Sequence, residues 1–269
     1  MISNNKTNIT GHMIVKNEDQ WVWFAINSVL SSVDSLFIYD TGSTDKTVKI
    51  IKSIKSKKIK FENHRTSTRS AITKLREKQI SHTKTKWFWV IDGDEIYPNK
   101  TTEEVLKATK KNYKTIAVRR YDLIGDVYHK QAETVGMYNL YGQKGHLVTR
   151  LFNTSKLEGL HLKGDYPNEG YFTSDNKSTR HINTKDAYIT KNRLYHSMYL
   201  KRSSLNESKI FNRGKYRIET GIKIKDSLPE IFYKKRPKFI PDPLRKRSIG
   251  YEVLASLITP IKNLKRKIK

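Results

Sequence analysis

Residues 87–95 read WFWVIDGDE: five large apolar side chains in a row, then three carboxylates within four positions. An apolar run with no polar break fits a strand covered on both faces, as in a parallel sheet flanked by helices. Upstream the arrangement recurs. Gly11–Val15 (GHMIV) stops at Lys16-Asn17-Glu18-Asp19, and Ser35–Tyr39 (SLFIY) stops at the capping-rich turn Asp40-Thr41-Gly42-Ser43-Thr44-Asp45. Between these strands Trp21, Phe24, Ala25, Val29 and Leu30 recur at helical spacing. Val48, Ile51 and Ile54 mark a second helix, Ile59–Phe61 a weaker strand, and Ala71, Ile72, Leu75 and Ile80 a third helix. Strands alternating with helices predict βαβ units: an α/β fold with a mixed, mainly parallel sheet flanked by helices.

Beyond Thr101 the pattern changes. A helix over Glu103–Thr109 leads to Thr115–Arg120, Val127–His129 and Leu147–Phe152, which read as antiparallel strands. From Arg193 onward helical and irregular basic segments are expected, with Tyr251–Ile268 amphipathic and interrupted by Pro260. This divides the chain into a catalytic domain at 9–200 and a basic C-terminal extension at 201–269.

Composition narrows the functional classes. With no cysteine, disulfides and thiolate metal sites are excluded. The N-terminus lacks a basic-then-apolar signal pattern, and no run approaches a membrane span, so the expected location is the cytoplasm. Net charge is +27, and His196–Lys269 holds 20 Lys and Arg against 6 Asp and Glu. That basic tail brackets the apolar GYEVLASLITPI, which predicts peripheral contact with the anionic inner face of the membrane.

The strand ends carry the chemistry. In an open α/β sheet, ligands gather at the carboxyl ends of the strands. Here three such ends bring Asn17 and Glu18, Asp40, and Asp92, Asp94 and Glu95 toward one crevice. Clustered carboxylates repel one another, and a divalent cation removes the conflict. Mg²⁺ or Mn²⁺ uses one or two carboxylates and takes further oxygens from substrate phosphates. The acidic strand end therefore points to a metal-held nucleotide diphosphate.

MIVKNE (Met13–Glu18), DTGSTDKT (Asp40–Thr47), TRS (Thr68–Ser70) and WVIDGDE (Trp89–Glu95), in this order and spacing, resemble the family-2 glycosyltransferases of the GT-A (Rossmann-like) fold. The nearest pattern is the branch with KNE, DTGSTD, ARN and DADE motifs. The resemblance is strong over residues 9–100 and weaker to about 200. It implies a metal-dependent, inverting transfer of a sugar from a nucleotide-diphosphate sugar to a glycan or lipid-linked acceptor. By the same resemblance Asn17 and Glu18 border the nucleotide, Asp40 lies near the base, and Arg69 brings a guanidinium to the donor. Asp92 faces the ribose, Gly93 leaves room beside the diphosphate, and Asp94 binds the metal. Ser70 departs from the family's Asn. Farther on, Arg150-Leu151-Phe152 and GDYPNEG (Gly164–Gly170) resemble the acceptor-side region, which makes Glu169, with Asp165 as the alternative, the general base. His196, in RLYHSMY, resembles the histidine that completes the metal site as a neutral imidazole.

Two other classes compete. A sugar nucleotidyltransferase would use the same crevice but wants a Gly-rich N-terminal loop, and GHMIVKNED offers one glycine. A nucleic-acid-binding protein would use the +27 charge but has no place for Asp92 and Asp94, and no zinc-finger, RNP or helix-turn-helix signature is present; no nucleic acid is expected as partner.

Overall fold

In the computed structural model, residues 6–66, 68–201 and 218–268 are described. The expected helix–strand alternation is present: β1 (Ile9–Val15), α1 (Val22–Val29), β2 (Ser35–Asp40), α2 (Thr47–Ser53), β3 (Ile59–Asn63), α3 (Arg69–His82), β4 (Trp87–Val90), β5 (Glu95–Ile96) and α4 (Asn99–Thr109). There follow β6 (Thr115–Ile124), β7 (Asp126–Lys130), β8 (Tyr138–Leu140), β9 (Gln143–Gly145), β10 (Leu147–Asn153), β11 (His161–Lys163), β12 (Gly170–Phe172), β13 (Ala187–Tyr199), β14 (Ile222–Lys223) and α5 (Ile249–Lys267).

The main sheet runs β14-β7-β6-β10-β4-β1-β2-β3, with β13 beside β6 and β5 beside β13. Strands β3, β2, β1 and β4 are parallel, and β10 enters antiparallel to both β4 and β6. The chain moves outward from β1 through β2 to β3, then returns to place β4 on the other side of β1. That reversal makes the carboxyl ends of β1 and β4 the topological switch point, the place where doubly wound sheets bind ligands. Trp87, Phe88, Trp89 and Val90 of β4 are all buried, as the apolar run required.

Two expectations are corrected. The stretch after Arg193 is not irregular at first, because β13 runs to Tyr199 in parallel register with β6. Its polar N-terminal half hid it: Thr190 and Asn192 are satisfied by local and α4 hydrogen bonds, not by an alternating pattern. Nor does Pro260 interrupt the last helix. The residue whose carbonyl loses a partner there, Ser256, is exposed to water, and Thr259 Oγ1 donates to the neighbouring Ala255 carbonyl at 2.6 Å.

Residues beyond the expected boundary at 200 share the main core. Ile224, Ile231, Phe232 and Ile240 join its apolar cluster, and Phe232 meets Phe24 edge-on at 5.5 Å. Residues 202–217 of the expected extension lie outside the described residues. Among those described, no helix is long and apolar enough to cross a membrane.

Candidate active site

The loops at these strand ends are tied to one another by hydrogen bonds. After β1, Asn17 takes a left-handed backbone (φ 53°), which asparagine tolerates better than most residues. Its Oδ1 accepts from the Thr44 N–H at 2.8 Å, tying this loop to the one after β2. Asp40 is fully buried, and its Oδ2 accepts from the Gly42 and Ser43 N–H groups, both at 3.0 Å. Asn17 and Asp40 thus shape the crevice rim by holding turns together. Glu18 is buried beside Gly93: a Cβ on Gly93 would lie 3.1 Å from Glu18 Cγ and from Val15 Cγ1. The glycine is explained by this close approach of two strand ends.

Charge pairing among the carboxylates differs from the expectation that a cation alone relieves it. Arg150, from β10, donates from Nη2 to Asp92 Oδ2 at 2.5 Å and to Glu95 Oε1 at 2.6 Å. Arg76, from the buried face of α3, lies 3.8 Å from Asp92 and donates from Nε to Glu169 Oε1 at 3.0 Å. Burial alone would raise the Asp92 pKa, but Arg150 and Arg76 outweigh it and hold the group below its ordinary value. For Glu95 burial wins over Arg150, and its pKa is raised.

Asp94 and His196 form the other half. Asp94 is 3% exposed, and its backbone carbonyl accepts from the Ser197 N–H at 2.9 Å, which locks the strand end to β13. His196 Nε2 lies 3.3 Å from Asp94 Oδ2, and Nδ1 lies 3.1 Å from Asp122 Oδ1. Burial would lower the imidazole pKa, but Asp94 and Asp122 outweigh it and raise it to about 9. The two carboxylates thus favour the protonated ring as long as no ion lies between His196 and Asp94. Asp122, paired also with Arg120 at 2.9 Å, is held well below the ordinary carboxylate range despite its burial.

The Asp94–His196 pair fits a divalent ion. Two donor atoms 3.3 Å apart suit neighbouring positions around an ion with ligand bonds of about 2.1 Å. Asp122 on the other ring nitrogen is the outer carboxylate that commonly orients a metal-bound histidine. To hold an ion there, His196 would have to give up its ring proton at Nε2. Among the described residues no three His, Asp or Glu groups are arranged as a ready-made site, so water and phosphate oxygens would complete the shell.

Not every expected residue reaches the crevice. Arg69 opens α3 and is exposed, while Arg76, two turns on, makes the contacts. Asp165 is exposed in its turn, where its carbonyl accepts from the Asn168 N–H. Glu169 is brought in: its side chain is 9% exposed and its Oε2 is buried with no hydrogen-bond partner among the described residues. Arg76 and Asp122 were not singled out from sequence, and Glu95 and Arg150 entered only as part of the acidic strand end and of the acceptor-side motif, with no role of their own. For Arg76 a signal existed, since it shares the buried stripe of α3 with Thr73, Leu75 and Gln79, where an unpaired charge is rare.

Parts of this chain resemble known proteins. The SPbeta prophage-derived glycosyltransferase SunS of Bacillus subtilis is 30% identical over 103 residues, 38% of this chain, and the match spans 24% of that relative's length. S. aureus TarS 1–349, solved in complex with UDP-GlcNAc, aligns with a TM-score of 0.47 at 11% identity, covering 70% of this chain and 57% of that one. Glucosyl-3-phosphoglycerate synthase from Mycobacterium tuberculosis, solved with Mn²⁺ and UDP-glucose, aligns with a TM-score of 0.33 at 20% identity over 43% of each chain. The sequence profile of Glycosyl transferase family 2 matches residues 12–202, from the middle of β1 past the end of β13. Over most of its length, then, this chain belongs to glycosyl transferase family 2.

Proposed function

We propose that the protein is a metal-dependent, inverting glycosyltransferase that moves a sugar from a nucleotide-diphosphate sugar to a glycan or lipid-linked acceptor. Family membership supports the reaction class. The observation that carries the metal dependence is the Asp94–His196 pair, backed by Asp122, at the carboxyl edge of β4. Glu169 lies one guanidinium away from Asp92, through Arg76.

In this reading Asp94 and His196 would hold Mg²⁺ or Mn²⁺, and the ion would supply positive charge against the diphosphate leaving group. Glu18, Asp92 and the turns held by Asn17 and Asp40 line the donor side. Arg76 replaces Arg69 as the donor-side guanidinium, and its planar fork suits both phosphate and carboxylate. Arg76 fixes Glu169 through Oε1, which leaves Oε2 to take the proton of the acceptor hydroxyl. That hydroxyl attacks the anomeric carbon opposite the leaving diphosphate, so the centre inverts.

Thermal-shift titration with nucleoside diphosphates, with and without Mn²⁺, tests the site, and nucleoside diphosphate release from sugar donors tests the chemistry. Asp94→Asn is expected to abolish the Mn²⁺-dependent shift while the metal-free melting curve survives. Glu169→Gln is expected to keep the shift and lose turnover by about a hundredfold or more. Undiminished turnover in Asp94→Asn would reject the metal site, and in Glu169→Gln it would reject the base.

A further inference from the structure

Helix α5 docks on the body through one face only. Ala255 is fully buried, and the Tyr251 hydroxyl donates to the Glu219 carbonyl at 3.1 Å. The Thr220 N–H donates to Thr259 Oγ1 at 2.9 Å, Lys262 Nζ donates to the Ile218 carbonyl at 3.0 Å, and Arg266 pairs with the Glu219 carboxylate. These residues recur every three or four positions and so share a side of the helix.

The opposite side is apolar and uncovered. Ile249, Val253, Leu254, Leu257, Ile261 and Leu264 are 44–84% exposed, and Ile268 continues the row just past the helix end. Eleven large apolar side chains are exposed among the described residues, and seven of them belong to this one row. A concentration of that kind marks an interaction surface, whereas isolated exposed apolar residues do not. Exposed cations stand at both ends: Arg245 and Lys246 just before the helix, Lys265 and Lys267 in its last turn. Glu252, the one acidic residue of α5, is engaged by Arg247 at 2.6 Å.

We propose that this face of α5 binds a lipid bilayer carrying anionic headgroups, with the helix lying in the plane of the interface. The apolar row would enter the acyl boundary while Lys265, Lys267, Arg245 and Lys246 meet the phosphates. Charge decides among the possible occupants. Helix α5 holds four Lys and Arg against one Glu in a chain of net charge +27, so two copies pressed together on this face would repel. A polyanion such as RNA would satisfy the cations but leave the apolar row in water.

The placement also bears on the crevice. The start of α5 packs on the turn at Gly125, where a Cβ would come within 2.8 Å of Arg247 and Tyr251 side-chain atoms. That turn follows β6, whose Asp122 holds His196. Strand β6 runs parallel to β4, because both are antiparallel to β10. The helix therefore starts at the same sheet edge as the site.

Co-sedimentation of the full chain with phosphatidylcholine vesicles, with and without phosphatidylglycerol, tests the proposal. The expected result is binding to the phosphatidylglycerol vesicles that weakens as salt is raised. Leu257→Asp with Ile261→Asp should cut the bound fraction at least tenfold, and Lys265→Glu with Lys267→Glu should remove the preference for phosphatidylglycerol. All four positions are exposed, and unchanged melting curves would confirm that the variants fold. The proposal is overturned if the wild-type chain does not sediment with anionic vesicles, or if the Asp variant sediments equally well. A wild-type dimer that becomes monomeric in the Asp variant, with no vesicle binding by either, would assign the face to a second copy.

Discussion

Arg150 shows how a single residue makes the acidic strand end tolerable. Its guanidinium reaches two carboxylates from a strand 55 positions later in the chain, and Glu95 is fully buried beneath it. Replacing Arg150 by Met keeps much of the volume but leaves Glu95 without its cation. Removing one partner of a buried ion pair typically costs about 3–5 kcal/mol, and urea unfolding should register a loss of that size. Adding Glu95→Gln to Arg150→Met should recover part of it, since the orphaned charge is then gone. A loss below about 1 kcal/mol would mean that water, not Arg150, balances these groups. The sequence displayed the carboxylates plainly, because they are adjacent in the chain. It could not display their partners, because Arg76 and Arg150 arrive from α3 and β10 through tertiary packing. Asp122 and its hold on His196 were hidden for the same reason.

At the scale of the element, β1 carries a titratable group into the core. His12 lies between β2 and β4, stacked on Phe88 at 4.6 Å and on Phe37 at 5.9 Å, with Nε2 2.7 Å from Thr83 Oγ1. Burial, with a smaller contribution from Arg76, lowers its pKa from 6.5 to about 3. The unfolded chain takes up this proton near pH 6.5 and the folded chain does not until about pH 3. Stability is therefore unaffected above pH 6.5 and falls as pH drops toward 3, by up to about 1.4 kcal/mol per unit. His12→Phe, which keeps a stacked ring, should flatten this acid limb in denaturation curves taken across that range. An unchanged limb would assign acid unfolding to other groups. The strands themselves were legible because GHMIV, SLFIY and WFWVI are dense apolar runs, and His12 reads simply as a polar interruption in the first of them. Strand β13 was not legible. Its first half offers Thr190, Lys191 and Asn192: Thr190 donates its hydroxyl to the Asn192 carbonyl, and Glu104 of α4 accepts from the Lys191 and Asn192 N–H groups and the Asn192 side-chain amide.

At the scale of the whole molecule, the question is whether the basic C-terminal segment is an appendage or part of the cooperative unit. Its charge pattern suggested an extension, because Lys and Arg dominate the segment and hide its few core residues. The packing says otherwise for residues 218–247. Strand β14 lengthens the main sheet beside β7, Tyr195 donates its hydroxyl to the Ser227 carbonyl at 3.2 Å, and Phe232 is fully buried against Phe24 and Tyr195. Phe232→Ala should therefore cost about 3–5 kcal/mol, far more than an aromatic on a solvated tail would. All four tryptophans lie between residues 21 and 89, so their fluorescence reports the β1–β4 half of the sheet, while far-UV circular dichroism reports the whole chain. If the C-terminal segment belongs to one core, the two signals should shift together in the Phe232→Ala variant and remain superimposable. A dichroism change that precedes the fluorescence change, with the tryptophan midpoint left at its wild-type value, would make the segment a separate unit resting on an independently stable domain.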